Sequence, residues 1–314
     1  MKSIYLVAPS GASLDNKSPL AGIDWLEKQS VALQNTDCVH RVYERFAGSD
    51  EDRLTELNNI SALNPQTVVM AMRGGYGLHR LLPEIHWDAI ARAIQNGLQV
   101  CGHSDFTVFQ MGLLAKTGAI TLAGPMLNYD FGRLGDDGTP VTPDAFMWQH
   151  FQAAVKERKL DCKVSAPQSF LGKPEKQSLT GLLWGGNLTV LAGLVGTQYL
   201  PNAKQTQGGI LFLEDVNEHP YRIERMLMQI LDAGILSNQG AVLLGGFSAY
   251  RLYDNDKGYS LERAIEAIRK RLPLEVPILT GLPFGHQANK LTLPVGAKAN
   301  LNYSPTGFEI TAQW

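Results

Sequence analysis

The sequence predicts an α/β protein with two domains, the first of them built on a parallel sheet. Short apolar runs alternate with amphipathic segments along most of the chain, which is the pattern of parallel strands joined by helices. Several runs end in glycine-rich turns, and ligands bind at that edge of a parallel sheet. The length of 314 residues exceeds the size at which one hydrophobic core usually stops growing, so we expect a second domain.

Four apolar runs define the sheet of the N-terminal domain, which we place at residues 1–160. They cover residues 3–8, 67–72, 99–101 and 120–123. A helix is predicted at 105–116, because its apolar residues recur at helical spacing. The second and third runs end in Arg-Gly-Gly-Tyr-Gly at 73–77 and Gly-His-Ser-Asp at 102–105. Parallel strands bring both turns to one edge of the sheet.

The C-terminal domain, placed at residues 181–314, is also predicted to be α/β. A segment rich in Ser, Pro, Gln, Gly and Lys at 161–180 precedes it and predicts a linker. Strands are predicted at 209–213, 241–244 and 276–280, and helices after Pro220 and at 261–271. The first of these helices carries a single apolar stripe, which indicates a face buried in the core rather than a cofactor site.

Composition and charge exclude several classes of partner. The formal net charge is −2, with 28 Lys and Arg against 30 Asp and Glu, and no long basic run predicts a nucleic-acid or membrane surface. The first apolar run is too short for a signal peptide, and none is long enough to span a bilayer. Cys38, Cys101 and Cys162 have no CxxC spacing and indicate reduced thiols. We therefore expect a cytoplasmic protein that recognises a small ligand.

Ser104 is the first candidate for chemistry, because it stands at a turn between a predicted strand and a predicted helix. Such a turn exposes a serine hydroxyl and sets backbone N–H groups of the helix start where an oxyanion would form. Phe106 occupies the position of the second glycine in the nucleophile motif G-x-S-x-G. The alternative is a helix cap, a common role of serine at a strand–helix junction.

The glycine turn at 73–77 is the second candidate. Three glycines directly after a strand let the backbone approach a ligand and offer N–H groups to negative charge, as in an oxyanion hole. A plain tight turn is the alternative. The spacing matches neither G-x-G-x-x-G nor a P-loop, and the chain contains no HExxH, so we expect no dinucleotide cofactor and no metal.

A nucleophilic serine also needs a base and an acid. His286 follows a strand in a rigid Pro/Gly turn, but the other histidines, among them His103 and His219, remain alternatives. Glu214 and Asp215 both end a strongly apolar strand, where an acid can also simply pair with a helix start. The order Ser104, Glu214, His286 matches the order serine, acid, histidine of α/β-hydrolases.

The chain resembles the LD-carboxypeptidase family over nearly its whole length. Residues 73–77 and 102–105 carry the first part of this resemblance. It continues with Leu-Trp-Gly-Gly-Asn-Leu at 183–188, Leu-Glu-Asp-Val-Asn-Glu-His-Pro at 213–220 and Gly-Leu-Pro-Phe-Gly-His at 281–286. Residues 7–11 and 44–48 are similar to the family as well. Several long motifs in the family's order make the resemblance specific.

The resemblance implies a serine peptidase without a metal, with Ser104, Glu214 and His286 as its triad. It assigns the oxyanion hole to the N–H groups of Gly75 and Asp105, and it places the site between two α/β domains, usually in a homodimer. The implied activity is release of the terminal D-alanine from cytoplasmic murein tetrapeptides in peptidoglycan recycling. The family's nucleophile turn does not require the second glycine.

Two other functions stay open. Some members of the same family hydrolyse a peptidyl-nucleotide antibiotic and so give immunity. A non-catalytic binding protein would instead hold an anionic ligand with the glycine turn and Ser104. For the group that binds the terminal carboxylate of a peptide substrate, Arg73 and Arg222 are the candidates.

Overall fold

The structure is a computed structural model that describes residues 3–165, 169–170, 172 and 177–314. Its strands are β1 (Ser3–Val7), β2 (Ala32–Gln34), β3 (Thr67–Ala71), β4 (Gln99–Gly102), β5 (Thr121–Ala123), β6 (Lys159–Ser165), β7 (Ser169–Phe170), β8 (Ser178–Asn187), β9 (Ile210–Val216), β10 (Ala241–Ser248), β11 (Ile278–Thr280), β12 (Leu293–Val295), β13 (Lys298–Ser304) and β14 (Gly307–Gln313). Its α-helices are α1 (Lys17–Lys28), α2 (Asp50–Asn59), α3 (Trp87–Gln95), α4 (Thr107–Thr117), α5 (Ala145–Glu157), α6 (Leu188–Leu194), α7 (Ala203–Thr206), α8 (Pro220–Asp232) and α9 (Leu261–Arg271).

The N-terminal sheet has the strand order β12-β5-β4-β3-β1-β2. Strands β1 to β5 are parallel, and β12 adds to β5 in the antiparallel direction. Strand β3 is buried at every position, as its continuous apolar sequence requires. In doubly wound sheets of this order, ligands bind beyond the carboxyl ends of the strands, and both candidate turns lie there.

The C-terminal sheet has the order β6-β14-β13-β8-β9-β10-β11-β7. Strands β8 to β11 are parallel, and the remaining pairs are antiparallel. Strand β9 is central and is buried from Ile210 to Asp215. Glu214 therefore comes from the interior of the domain, at the carboxyl end of a strand with neighbours on both sides.

The two domains share a continuous hydrophobic core. Helix α4 of the N-terminal domain packs against α6 and β8 of the C-terminal domain. The shared apolar cluster includes Phe106 and Phe109 from one domain and Trp184 and Phe212 from the other. Strand β12 also returns from the C-terminal part of the chain to the N-terminal sheet. Apolar burial therefore holds the carboxyl edges of the two sheets next to each other.

The prediction of two α/β domains is confirmed, but the domain boundaries stay a prediction. Of the expected linker, residues 166–168, 171 and 173–176 lie outside the described residues. The described part contains β6 and β7, which the sequence analysis missed. Strand β6 alternates exposed and buried side chains from residue 159, a strand signal that the polar composition concealed. Within the described residues, no helix has both the length and the apolar character needed to cross a bilayer.

Candidate active site

Ser104 lies in a strained turn between β4 and α4. A 3₁₀ turn at Ser104–Phe106 connects the two elements, and the φ of Ser104 is 60°. This left-handed backbone is one that residues with a side chain rarely adopt, and such strain persists where the surrounding structure imposes it. The residue that precedes the 3₁₀ turn as its cap is His103, and Phe106 precedes α4. Ser104 therefore does not occupy a helix-cap position, which favours the nucleophile interpretation.

Gly102 explains why the turn accepts Phe106. A Cβ atom added to Gly102 would lie 2.7 Å from Cδ1 of Phe106, closer than real Cβ contacts occur. The Phe106 ring is completely buried against this glycine. The Phe106 ring can therefore pack against the backbone because residue 102 is a glycine. A second glycine at position 106 is not needed.

The glycine turn at 73–77 packs directly against Ser104. A Cβ atom added to Gly74 would lie 2.7 Å from Ser104 Oγ and 3.3 Å from the backbone nitrogen of Asp105. Gly75 follows with a φ of 109°, a backbone that favours glycine. The two predicted oxyanion donors, the N–H groups of Gly75 and Asp105, thus belong to two turns that meet at the serine.

The side chain of Asp105 ties these turns together. Its carboxylate accepts a hydrogen bond from Ser10 Oγ at 2.7 Å and another from the backbone N–H of Leu78 at 3.2 Å. Leu78 directly follows the glycine turn. The carboxylate is almost completely buried, and this burial raises its pKa above the usual range. Asp105 therefore fixes the distance between the two turns, a structural role that its sequence motif did not indicate.

His286 and Glu214 form the hydrogen-bonded pair expected of a base and its acid. His286 Nδ1 lies 2.7 Å from Glu214 Oε2. The Glu214 side chain is fully buried, whereas 21% of the His286 side chain is exposed. An Nδ1–H that donates to Glu214 leaves Nε2 of His286 as the nitrogen that can take a proton.

Asp215 lies beside Glu214 but binds elsewhere. Its carboxylate accepts hydrogen bonds from the backbone N–H and the hydroxyl of Thr189, at 2.9 and 2.8 Å, at the start of α6. Burial, together with the nearby charge of Glu214, raises its pKa. The buried amide of Asn187 donates to both acids, at 3.2 Å to Glu214 and 3.0 Å to Asp215. The geometry thus selects Glu214 as the partner of His286, and Asn187 is a supporting residue that the sequence analysis missed.

His219, one of the alternative bases, caps a helix instead. Its Nδ1 accepts a hydrogen bond from the backbone N–H of Tyr221 at the start of α8, and its Nε2 lies 3.0 Å from Asp256. Both ring nitrogens are therefore used away from Ser104.

His103, the other alternative, is buried beside the base. Its Nδ1 donates to the carbonyl of Gly124 at 2.9 Å, and its ring meets that of His286 edge-on with the centroids 5.2 Å apart. Its Nε2 lies 3.3 Å from Nζ of Lys290, so it accepts a hydrogen bond there. Burial lowers the pKa of His103 well below its usual value, and the charge of Lys290 acts in the same direction. His103 is therefore neutral and cannot act as the exposed base.

Lys290 links the two domains through a buried ion pair. Its Nζ lies 2.5 Å from Oδ1 of Asp130, and the two side chains are 1% and 2% exposed. Asp130 also accepts the backbone N–H of Met126 at 2.8 Å. Lys290 comes four residues after His286, whereas Asp130 belongs to the N-terminal domain. Neither residue was predicted from the sequence; the available signal was a lysine next to the largely apolar segment 291–295.

A cavity of about 670 Å³ opens between the domains above these groups. This volume is typical of small-molecule sites. Its wall includes Ser104, His286 and Gly75, together with Arg73 and Arg133. The predicted nucleophile and base thus share one cavity. The other candidate for a carboxylate, Arg222, is not part of that wall.

None of the three cysteines is part of the cavity wall. Cys38, Cys101 and Cys162 are free and buried, and burial raises the pKa of Cys162 to about 11. In the part of the chain that the structure describes, no group of three or more His, Cys, Asp or Glu side chains is arranged to hold a metal ion.

The chain is similar to known proteins over most of its length. The family model described as the LD-carboxypeptidase N-terminal domain matches residues 4–124, and the one described as the LD-carboxypeptidase C-terminal domain matches residues 180–301. The murein tetrapeptide carboxypeptidase of Pseudomonas aeruginosa is 31% identical over 300 residues, covering 95% of this chain and 92% of that protein. The microcin C7 self-immunity protein of Escherichia coli is 26% identical over 327 residues, with coverages of 98% and 91%.

Solved structures share the whole fold. The crystal structure of a muramoyltetrapeptide carboxypeptidase from Oxalobacter formigenes superimposes with a TM-score of 0.84 at 38% identity, covering 100% of this chain and 99% of that one. The wild-type apo form of the microcin C7 self-immunity protein has a TM-score of 0.82 at 23% identity, with coverages of 100% and 96%, and so shares the fold. Because the two family models together match well over half of the sequence, this chain belongs to the LD-carboxypeptidase family of serine-type peptidases.

Proposed function

We propose that this chain is a cytoplasmic LD-carboxypeptidase that releases the terminal D-alanine from murein tetrapeptides by a Ser104–Glu214–His286 mechanism. The observation that carries the proposal is the 2.7 Å pair of His286 and Glu214 at a cavity that also exposes a strained serine. The names of the relatives from Pseudomonas aeruginosa and Oxalobacter formigenes support this choice of substrate.

The first half of the reaction forms an acyl-enzyme. His286 Nε2 takes the proton of Ser104 while Oγ attacks the scissile carbonyl carbon, and Glu214 stabilises the resulting imidazolium. The N–H groups of Gly75 and Asp105 bind the oxyanion. When the carbon–nitrogen bond breaks, His286 gives its proton to the amino group of the departing D-alanine. A water molecule then attacks the ester by the same route and restores Ser104.

Stabilisation of the oxyanion accounts for much of the rate enhancement in such a mechanism. Removal of one donor from sites of this kind costs about 3–4 kcal/mol of transition-state stabilisation. In this chain, backbone N–H groups would make these bonds, and the Asp105 carboxylate holds the turns that carry them. We therefore expect the donors to be in position before the substrate binds.

Mass spectrometry of a murein tetrapeptide tests the proposal. Wild type is expected to remove one D-alanine, and Ser104→Ala is expected to lose activity by several orders of magnitude. A tetrapeptide that ends in L-alanine is the control substrate and is expected to stay intact. Release of D-alanine by Ser104→Ala at the wild-type rate would contradict the mechanism.

The similarity to the microcin C7 self-immunity protein supports one alternative, a hydrolase of peptidyl nucleotides. Turnover of a murein tetrapeptide in competition with an acyl-adenylate analogue separates the two substrates. A non-catalytic binding protein is the third candidate. It predicts binding without turnover, and no adduct at Ser104 after treatment with a serine-directed phosphonate.

We further propose that the protein acts as a homodimer in peptidoglycan recycling, as the family resemblance implies. Light scattering on the eluting chromatographic peak gives the molar mass directly. A mass equal to that of one 34.4 kDa chain at all concentrations would contradict the dimer.

A further inference from the structure

A carboxypeptidase must recognise the free carboxylate that lies beyond the bond it cuts. The charged side chains in the wall of the cavity are those of Arg73, Arg133, Lys290, Asp15 and Asp130. Lys290 is neutralised by Asp130. Among the described residues, neither arginine is paired with a carboxylate. The cavity therefore offers an anionic ligand two arginines that no carboxylate binds, and the one remaining carboxylate of the wall, Asp15, accepts the backbone N–H of Ser18.

Arg73 begins the glycine turn, which contacts Ser104 through Gly74 and carries a predicted oxyanion donor at Gly75. A Cβ atom added to Gly75 would lie 3.5 Å from Nη2 of Arg73, and one added to Gly11 would lie 3.6 Å from Cζ. The guanidinium thus folds back over its own turn, beside the predicted oxyanion donor. In a substrate that ends in D-alanine, only the amide nitrogen and one Cα separate the scissile carbonyl from the carboxylate. A cation that binds this carboxylate must stand next to the oxyanion hole, as Arg73 does.

The contacts of Arg73 orient the guanidinium and leave one edge of it unpaired. Nη1 donates to the carbonyl of Ala12 at 2.7 Å, and the group lies over the ring of Tyr129 with Cζ 5.5 Å from the centroid. Nε is buried and has no hydrogen-bond partner among the described residues. Nη2 has no hydrogen-bond partner among the described residues either, but it is not enclosed as Nε is. Nη2 is therefore the donor that a substrate carboxylate can reach, in a charge-assisted hydrogen bond.

We propose that Arg73 binds the terminal carboxylate of the substrate through Nη2 and so restricts the enzyme to the last residue of a peptide. This inference rests on the proposed function and names a specificity residue for it. Arg222, the other candidate, lies on α8, is paired with Glu218 and is not part of the cavity wall. Arg133 belongs to the wall but is exposed and stands outside the glycine turn.

The test compares a murein tetrapeptide with its C-terminal amide. Wild type is expected to prefer the free acid. Arg73→Gln is expected to lower kcat/KM for the acid about 100-fold, since the carboxylate loses a charged partner, and to change the amide little. Arg73→Lys keeps the charge but loses the planar guanidinium, and its kcat/KM for the acid is expected to lie between those of wild type and Arg73→Gln. Arg133→Gln is the matched control and is expected to keep the preference for the acid, and Arg222→Gln is expected to behave as wild type.

Labelling with a serine-directed phosphonate that has no carboxylate separates recognition from folding. Arg73→Gln is expected to react with this probe at the wild-type rate, because Ser104, His286 and Glu214 are unchanged. The inference would be overturned if Arg73→Gln kept the wild-type ratio of kcat/KM for the acid to kcat/KM for the amide. Loss of the preference for the acid in Arg133→Gln instead would overturn it as well. If wild type released no D-alanine at all, the proposed function itself would fail.

Discussion

Two charge pairs lie near each other at the domain interface, and they differ in their contact with solvent. In the first pair, Glu214 is fully buried but 21% of the His286 side chain is exposed to the cavity. In the second pair, Lys290 and Asp130 are 1% and 2% exposed. The neutral ring of His103 stands between them, edge-on to His286 and hydrogen-bonded to Lys290.

The difference in exposure assigns proton transfer to the first pair and the contact between the domains to the second. A base must exchange its proton with a substrate, so one member of the first pair has to reach the cavity. The second pair has no such need and joins Asp130 of the N-terminal domain to Lys290 of the C-terminal domain. Because Lys290 follows His286 by four residues, the buried pair also holds the segment that carries the base near Ser104. Breaking the first pair is therefore expected to affect the rate, and breaking the second to affect the folded state.

Glu214→Gln is the strongest test of the first pair. A glutamine amide next to Nδ1 favours the wrong tautomer of His286, and the comparable change in other triads lowers kcat by about 10⁴-fold. We expect a loss of this size in the release of D-alanine. Thermal unfolding of the same variant is the control, and activity within a few-fold of wild type would show that Glu214 does not orient the base.

Lys290→Met is the corresponding test of the second pair. It leaves the buried Asp130 carboxylate without its cation, which costs about 3–5 kcal/mol of unfolding free energy. Denaturant titration measures this loss. The double variant Lys290→Met/Asp130→Asn removes the unpaired charge and is expected to recover most of the stability. Equal losses in the single and double variants would contradict the role of the ion pair.

Gly74→Ala is expected to move the nucleophile while both charge pairs stay intact. The new Cβ atom would lie 2.7 Å from Ser104 Oγ, so the serine or the glycine turn must shift. A misplacement of this kind can lower the rate by about 10²-fold. We expect a fall in kcat, measured by D-alanine release. Gly193→Ala in α6, where the nearest neighbour of a new Cβ atom is Cε1 of His79 at 3.8 Å, is a matched glycine variant away from the site.

His103 links the two pairs and makes stability depend on pH. Its pKa is lowered by burial, so it stays neutral when the unfolded chain takes up a proton below the ordinary value of about 6.5. Its contribution to stability is therefore present above about pH 6.5 and is lost as the pH falls, by up to about 1.4 kcal/mol per unit. His103→Gln is expected to lack this slope. Urea unfolding of both proteins across this range measures the difference, and parallel curves would show that His103 does not titrate differently on folding.

The sequence predicted the parts of the site that depend on local pattern. The apolar runs before Ser104 and Glu214 are buried strands, and the turns that follow them lie at the sheet edges. The chain order of Ser104, Glu214 and His286 and the family motifs indicated the triad. The described structure brings Glu214 and His286 into contact, while the catalytic roles stay a prediction.

Contacts between residues far apart in the chain could not be predicted from the sequence. Lys290 and His103 are 187 positions apart, and no local pattern connects them. The choice between Glu214 and Asp215 also depended on two adjacent side chains pointing to opposite faces of β9, one toward His286 and one toward α6. Strand β12 joins a sheet whose other strands lie in the first half of the chain.

The sequence by itself determined the fold class, the turn at Ser104 as a candidate site and the resemblance to a peptidase family, because periodicity and motifs are local properties. Tertiary structure alone decided which acid binds the base, which histidine is buried and neutral, and which arginine borders the cavity. Those outcomes depend on burial and on distances between residues from different domains. Whether a charged side chain binds the base, forms a buried ion pair or stays free for a ligand depends on its neighbours and its access to water, and the folded chain sets both.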